Sequence, residues 1–126
     1  MQEKHLFEYA VIRVIPRVER GEFLNVGVII YCQPHGFLRA SCEIDQQRIA
    51  AFGDVELAEI KEHLRSIEVI CAGGEGSGPI GKLSRGERFR WLTAPRSTIV
   101  QTSPVHSGLC LDPAETLNDL MEKLVR

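Results

Sequence analysis

The fold is decided by residues 20–32, whose sequence is RGEFLNVGVIIYC. This run is the most apolar of the chain, and its short length and its Val and Ile content are typical of a β-strand. The even positions from Leu24 to Cys32 are all apolar and are expected to face the core, whereas the odd positions form a mixed face with Asn25 and Gly27. A glycine inside a strand indicates a bulge, or a close approach by another backbone or a ligand. A bulge is the commoner cause, and the sequence leaves both open.

Strands are also expected on both sides of this run, at residues 7–15 and 37–44. The connections are short: residues 17–21 are polar and end in glycine, and residues 33–36 contain a proline and a glycine. Three strands with short connections predict an antiparallel meander with one apolar and one partly wet face. The strand register, which the sequence does not determine, decides which polar side chains share the wet face. The candidates are Arg39, Ser41, Glu43, Asn25, Tyr31 and Arg13.

Helical patterns follow the third strand and close the chain. Asp45 can cap a short helix that ends near Gly53, and Asp54 can cap a longer one. The longer helix has an apolar core stripe, and the charged residues opposite it are typical of an ordinary solvated face. Asp112 and Pro113 give the last helix a strong start. We therefore predict two helices after the first three strands and one helix at the end of the chain.

The middle of the chain is less regular. Residues 73–79 are rich in glycine and predict a flexible loop, and residues 83–92 fit either one helical turn or irregular structure. Residues 96–103, between two prolines, fit a fourth strand. The sequence thus predicts a single α+β domain over residues 1–126. Its helices would pack on one face of an antiparallel sheet of about four strands, in the order β-β-β-α-α-β-α.

The composition limits the classes of protein to consider. The net charge is −2, from 15 basic and 17 acidic residues, and gives no general attraction to nucleic acid. No apolar run approaches the roughly 20 residues of a membrane helix, and the first residues do not form a signal peptide. The four cysteines form no CxxC pair, and reduced thiols are expected. We therefore expect a cytoplasmic protein that does not act at a membrane.

Three motifs with possible chemistry lack essential parts. Residues 76–82 have the glycine and lysine spacing of a phosphate-binding loop, but Leu83 stands where that loop needs Ser or Thr. His106 and Cys110 lack the paired ligands of a zinc site, and as a nucleophile pair they lack an orienting partner. We recognise no catalytic constellation and expect no cofactor and no metal. Whether the protein is an enzyme stays open.

Residues 85–98, the arginine segment, are the most promising part of the sequence for binding. The segment contains the only tryptophan and four of the arginines. Arginine forks suit phosphate or carboxylate groups, and aromatic rings stack on bases or guanidinium planes. In the structural alternative, the aromatic residues anchor the segment to the core and the arginines pair with acidic helices. The predicted binding residues are Arg88, Arg90, Trp91, Arg96, Ser97, His106 and Asn25.

Two hypotheses about function follow from these residues. In the first, the protein is an accessory or binding module that holds an acidic partner protein, or an anionic ligand, through the arginine segment. In the second, it acts on nucleotides or nucleic acid, as an enzyme or otherwise, with Arg90, Arg96 and His106 around a phosphate. The sequence pI near 6 favours the first over general binding of nucleic acid.

Four phrases of the sequence are distinctive in combination. They occupy residues 7–13, 20–28, 88–97 and 103–108. With them the chain resembles an uncharacterised bacterial family catalogued as domain of unknown function 3037, and the resemblance covers nearly the whole chain. It implies a small stand-alone bacterial protein without an established activity. Through the genomic setting of that family, it also implies a HipA-like kinase as a candidate partner.

Overall fold

A computed structural model describes residues 3–53, 55–96 and 98–126 of the chain. Its elements alternate in blocks, with three strands first, then three helices, two strands and a final helix. The strands are β1 (His5–Val14), β2 (Leu24–Cys32), β3 (Phe37–Cys42), β4 (Val100–Thr102) and β5 (His106–Cys110). The helices are α1 (Gln46–Ala50), α2 (Leu57–Ala72), α3 (Arg85–Leu92) and α4 (Pro113–Leu124).

The strands form one antiparallel sheet in which β2 lies between β1 and β3. Its apolar residues Val26, Val28, Ile29 and Ile30 are fully buried. The predicted central strand, the antiparallel sheet and the α+β class are confirmed. Since β3 pairs only with β2 among the described strands, it forms one edge of the sheet.

The other edge is formed by β4 and β5, which both pair with β1. Together they act as one strand that is broken by a bulge at residues 103–105. At the bulge the Ser103 N–H donates to the Val11 carbonyl at 2.8 Å, and the Val11 N–H donates to Ser103 Oγ at 2.9 Å. The serine hydroxyl thus takes the place of a backbone acceptor and keeps the ladder intact. The predicted fourth strand is shorter than expected, and residues 106–110 continue the same edge.

A second irregularity lies beside Gly27 in the central strand. Ile12 pairs with Gly27 and Arg13 pairs with Asn25, so that Val26 is an extra residue on β2. A side-chain carbon built on Gly27 would lie 2.5 Å from the Ser41 carbonyl oxygen. The glycine therefore marks a bulge, the first of the two readings that the sequence leaves open, and the backbone of β3 also approaches it closely. The bulge also exchanges the faces of β2, so the even positions do not all face one core.

Helices cover both faces of the sheet. On one face, α2 and α3 pack on residues such as Ile12, Val26 and Ile29. On the other face, α4 packs on a core that includes Val28 and Ile30. The prediction that all helices pack on one face of the sheet is therefore wrong. The reason is that β2 is apolar on both faces, and each apolar face must be covered.

Capping residues account for the helix starts. The Asp45 carboxylate accepts from two backbone N–H groups of α1, and the Asp112 carboxylate accepts from one of α4, as expected. In α3, which the sequence left open, Ser84 and Glu87 form a capping box. The predicted cap at Asp54 lies outside the described residues. No helix in the described ranges combines the length and the hydropathy needed to cross a membrane.

Candidate functional site

Arg88 of the arginine segment lies in the interior of the protein and is 7% exposed. Its Nη1 donates to the carbonyls of Ile70 and Cys71, each at 2.8 Å, and its Nε donates to the Leu83 carbonyl at 3.1 Å. The guanidinium therefore satisfies carbonyls of the last turn of α2, which have no partner within the helix. It ties α3 to α2.

Arg90 lies on the surface and has a partner within the molecule. Its Nη2 lies 2.7 Å from Glu8 Oε1 of β1, and this hydrogen bond raises the pKa of Arg90. The Arg90 side chain is 58% exposed. An exposed pair of this kind contributes little to stability and is screened by salt.

Arg96 and Trp91 form a stacked pair at the end of α3. The guanidinium carbon of Arg96 lies 4.4 Å from the centre of the Trp91 ring, and its nitrogens donate to the carbonyls of Trp91 and Leu92. Trp91 is 41% exposed, so its ring does not anchor the segment in the core. Phe89, which is fully buried, does.

The remaining predicted binding residues are dispersed. His106 is exposed and its ring contacts Tyr9, with centres 5.4 Å apart. Arg90 is held by Glu8, and neighbouring residues of a strand point to opposite faces. The structure therefore does not bring Arg90 and His106 together around a phosphate.

Asn25 and Ser97 complete the set of predicted binding residues. Asn25 is half-buried, and its Nδ2 donates to the carbonyl of Leu124 in α4 at 2.9 Å. Ser97 lies outside the described residues. The residues predicted to share the wet face of the sheet do not lie together. Tyr31 packs on Phe89 of α3, whereas Asn25 contacts α4 and Glu43 pairs with Arg126.

A more continuous surface follows the free edge of β3. The Glu43 N–H donates to the Val26 carbonyl at 2.7 Å, which fixes the alternation of hydrogen bonds between β2 and β3. The backbone N–H and C=O groups of Leu38, Ala40 and Cys42 consequently point away from β2. No described strand pairs with them. They form the backbone half of a groove whose other wall is α2.

The edge groove, as we name this surface, has two parts, and Glu68 lines both of them. One part of about 340 Å³ lies against β3 near Arg39 and Arg85, and the other of about 240 Å³ lies near Cys42 and Arg65. Together they run the length of β3. The lining residues are Gly36, Phe37, Leu38, Arg39, Ala40, Cys42, Ile44, Lys61, Leu64, Arg65, Glu68, Cys71, Ala72 and Arg85.

The charges of the edge groove are mostly positive. Four basic residues line it against one acidic residue, Glu68: they are Lys61, Arg65, Arg85 and Arg39, whose guanidinium lies over the Phe37 ring. All four are exposed, and none forms an ion pair with a carboxylate in the described ranges. By contrast, Arg20, Arg48, Arg90 and Arg126 each have a carboxylate partner within the molecule.

The thiols of the edge groove are held in the neutral form. Burial raises the pKa of Cys71 to about 12 and is also the main cause that raises the pKa of Cys42, with the nearby Glu68 carboxylate adding to the second shift. A thiolate is the reactive form of cysteine, so neither side chain is activated as a nucleophile. Among the described residues, no three His, Cys, Asp or Glu side chains cluster as metal ligands would.

Comparison with known proteins identifies the family. The model of a family described as protein of unknown function DUF3037 matches residues 9–125. The chain belongs to this family. No curated protein and no solved structure matches the chain. The family resemblance predicted from the four sequence phrases is therefore confirmed.

The signal for the edge groove in the sequence is weak. Lys61 and Arg65 lie on the helix face that is typical of ordinary solvent exposure, and Arg39 alternates with apolar residues as on any half-buried strand. Arg85 alone belongs to the arginine segment. The signal that could have been read is that β3 is the last strand before the helices and so lies at an edge unless a later strand covers it.

Proposed function

We propose that this protein is a binding module that adds an extended, acidic segment of a partner protein to the free edge of β3. The observation that carries the proposal is the unpaired edge at Leu38, Ala40 and Cys42 beside the basic flank of α2. In this mode of recognition, main-chain hydrogen bonds give affinity and the pockets for alternate side chains give specificity. The proposed role is the accessory role that the sequence predicts, but the proposed binding surface is the edge groove and not the arginine segment.

Charge supports an acidic partner over a second copy of the chain. If two copies paired through β3, each would bring Arg39 and the basic flank of α2 towards the same groups of the other. Like charges placed opposite each other across strands are destabilising. An acidic strand meets the same groups with favourable charge, and Glu68 is the one carboxylate that it must pass.

The setting of this function is also a proposal. We infer a cytoplasmic protein of bacteria whose partner is another protein. The four free cysteines fit a reducing compartment, and the first partner to test is a HipA-like kinase, which the family resemblance suggests. The second hypothesis, a phosphate site around Arg90, Arg96 and His106, has no comparable support, because two of these residues lie on opposite faces of the sheet.

The proposal is tested with a synthetic peptide that alternates Val and Glu, and with a control peptide that alternates Val and Lys. Binding is followed through the backbone amide resonances of the full chain. We expect the acidic peptide to shift the amides of β3 and of the facing side of α2, and we expect no binding of the basic peptide. Equal binding of both peptides, or shifts confined to another surface, would contradict the proposal.

Substitutions in the edge groove test the same site from the protein side. Ala40→Pro removes one outward N–H and places a proline ring on the edge. An edge strand tolerates proline at a position whose N–H faces solvent. Arg65→Glu reverses a charge without touching the backbone, and Arg17→Glu makes the same change outside the groove. We expect weaker peptide binding for the first two and unchanged binding for Arg17→Glu. If Ala40→Pro does not fold, Arg65→Glu alone decides.

A further inference from the structure

A second cleft lies on the opposite flank of α2. Helix α2 supplies His63 and Ser66, the end of α3 and the turn after it supply Trp91 and Arg96, and β4 supplies Thr102. The floor is apolar, and its residues are Ile67, Ile70, Leu92 and Val100. Because His63 and Ser66 project from the other side of the helix than Lys61 and Arg65, this cleft is separate from the edge groove.

Two polar groups of the cleft have unused binding capacity, the guanidinium of Arg96 and the hydroxyl of Thr102. Arg96 forms no ion pair with a carboxylate among the described residues, and its guanidinium is held in place by the Trp91 ring and by backbone carbonyls. Thr102 Oγ1 is buried and has no hydrogen-bond partner in the described structure. A buried hydroxyl without a partner is costly, and the hydrogen-bonding capacity of this one is unused in the described structure.

The electrostatics of His63 agree with this arrangement. Burial lowers the pKa of His63, and the positive charge of Arg96 lowers it further, while Glu59 acts in the opposite direction as the smallest of the three causes. The positive charge of Arg96 therefore acts on the imidazole across the cleft that both residues line. A bound anion would supply negative charge and would raise the pKa of His63.

The size of the cleft limits the ligand. Its volume of about 70 Å³ is several times the ~10–15 Å³ that one water molecule needs by the same measure. This space accommodates a small polyatomic group and excludes a nucleotide or a peptide segment. A guanidinium, hydroxyls and an imidazole around such a space are donors suited to oxygen anions.

We propose that the cleft between α2, the end of α3 and β4 binds a small oxyanion, with Arg96 as the cation and Ser66, Thr102 and His63 as hydrogen-bonding partners. The site does not depend on the peptide proposal. It uses Arg96 and Trp91, the two residues of the arginine segment that line this cleft beside polar side chains.

The experiment titrates the full chain with inorganic phosphate and, separately, with acetate, and follows the imidazole resonances of His63. We expect phosphate to shift these resonances in a saturable way and to raise the pH at which His63 titrates. A saturable shift of the same resonances with acetate would show that a planar carboxylate also binds to the donors of the cleft. If neither anion at tens of millimolar moves His63 beyond the shift caused by an equal concentration of chloride, the proposal is overturned.

Matched variants locate the binding. Arg96→Gln removes the cation of the cleft, whereas Arg90→Gln removes a neighbouring surface arginine whose partner is Glu8. We expect affinity to fall about tenfold or more for Arg96→Gln, the scale of one charged hydrogen bond, and to stay unchanged for Arg90→Gln. Thr102→Val keeps the shape of the side chain and should also weaken binding while the protein stays folded. Unchanged affinity in both cleft variants would contradict the assignment.

The two binding proposals fail independently. Arg65→Glu lies on the edge groove and should leave the phosphate response of His63 unchanged. Arg96→Gln should in turn leave peptide binding unchanged. If the protein binds the acidic peptide but no anion at His63, only the proposal of an anion site in the cleft is overturned. If it binds the anion but not the peptide, only the proposal of peptide binding at the edge groove is overturned.

Discussion

Among single residues, the arginines show how the same side chain serves different purposes in one short segment. Arg88 is buried on backbone carbonyls, Arg90 pairs with Glu8, and Arg96 stacks on Trp91. The sequence predicts a cluster of arginines beside aromatic residues, but it does not tell which of them is buried. That depends on the angle at which α3 meets α2, which follows from tertiary packing and not from local pattern.

Arg88→Met tests the structural role of Arg88. The variant leaves the carbonyls of Ile70 and Cys71 without their donor, and buried polar groups without partners cost about 1–3 kcal/mol each. We expect the free energy of unfolding in urea to fall by about 3 kcal/mol. The control Arg90→Met removes an exposed pair and should change it by less than about 1 kcal/mol. Equal effects of the two variants would show that Arg88 does not hold α2 and α3 together.

Among the elements, the sequence predicts the first three strands, a fourth strand and the helices α1, α2 and α4, but it does not predict β5 and leaves α3 open. The apolar run of β2 and the carboxylates that cap α1 and α4 are local signals, and the structure agrees with them. Residues 106–110 contain His, Ser and Gly and have no apolar alternation, so no local rule identifies β5. The strand exists because β1 offers it a partner and because Ser103 carries the ladder across the bulge.

Ser103→Ala tests how much the bulge depends on one hydroxyl. The change removes the acceptor of the buried Val11 N–H and leaves the backbone bond from Ser103 N–H to the Val11 carbonyl in place. We expect a loss of about 1–3 kcal/mol in the free energy of unfolding, together with faster amide exchange at Val11. Ser107→Ala, at an exposed position of β5, is the control and should be close to neutral. A neutral Ser103→Ala would mean that water or another group replaces the hydroxyl.

In the whole molecule, the sheet is covered on both faces, and one of its edges remains open beside the side of α2 that carries Lys61 and Arg65. The sequence predicts the α+β class and the order of the first three strands, because hydrophobic patterns and turn residues are local. It does not predict which face each helix covers, since one extra residue at the β2 bulge exchanges the two faces of that strand. The edge groove arises only from the assembled fold, where α2 lies along β3.

Hydrogen exchange at the individual amides of β3 tests the central claim most directly. In the free protein, we expect the outward N–H groups of Leu38, Ala40 and Cys42 to exchange fast, while those of the inward Arg39 and Ser41 exchange slowly. Addition of the acidic peptide should slow the outward amides and restore a uniform pattern along the strand. Outward amides that are already protected in the free protein, or that stay fast when the peptide is bound, would contradict recognition by strand addition at this edge.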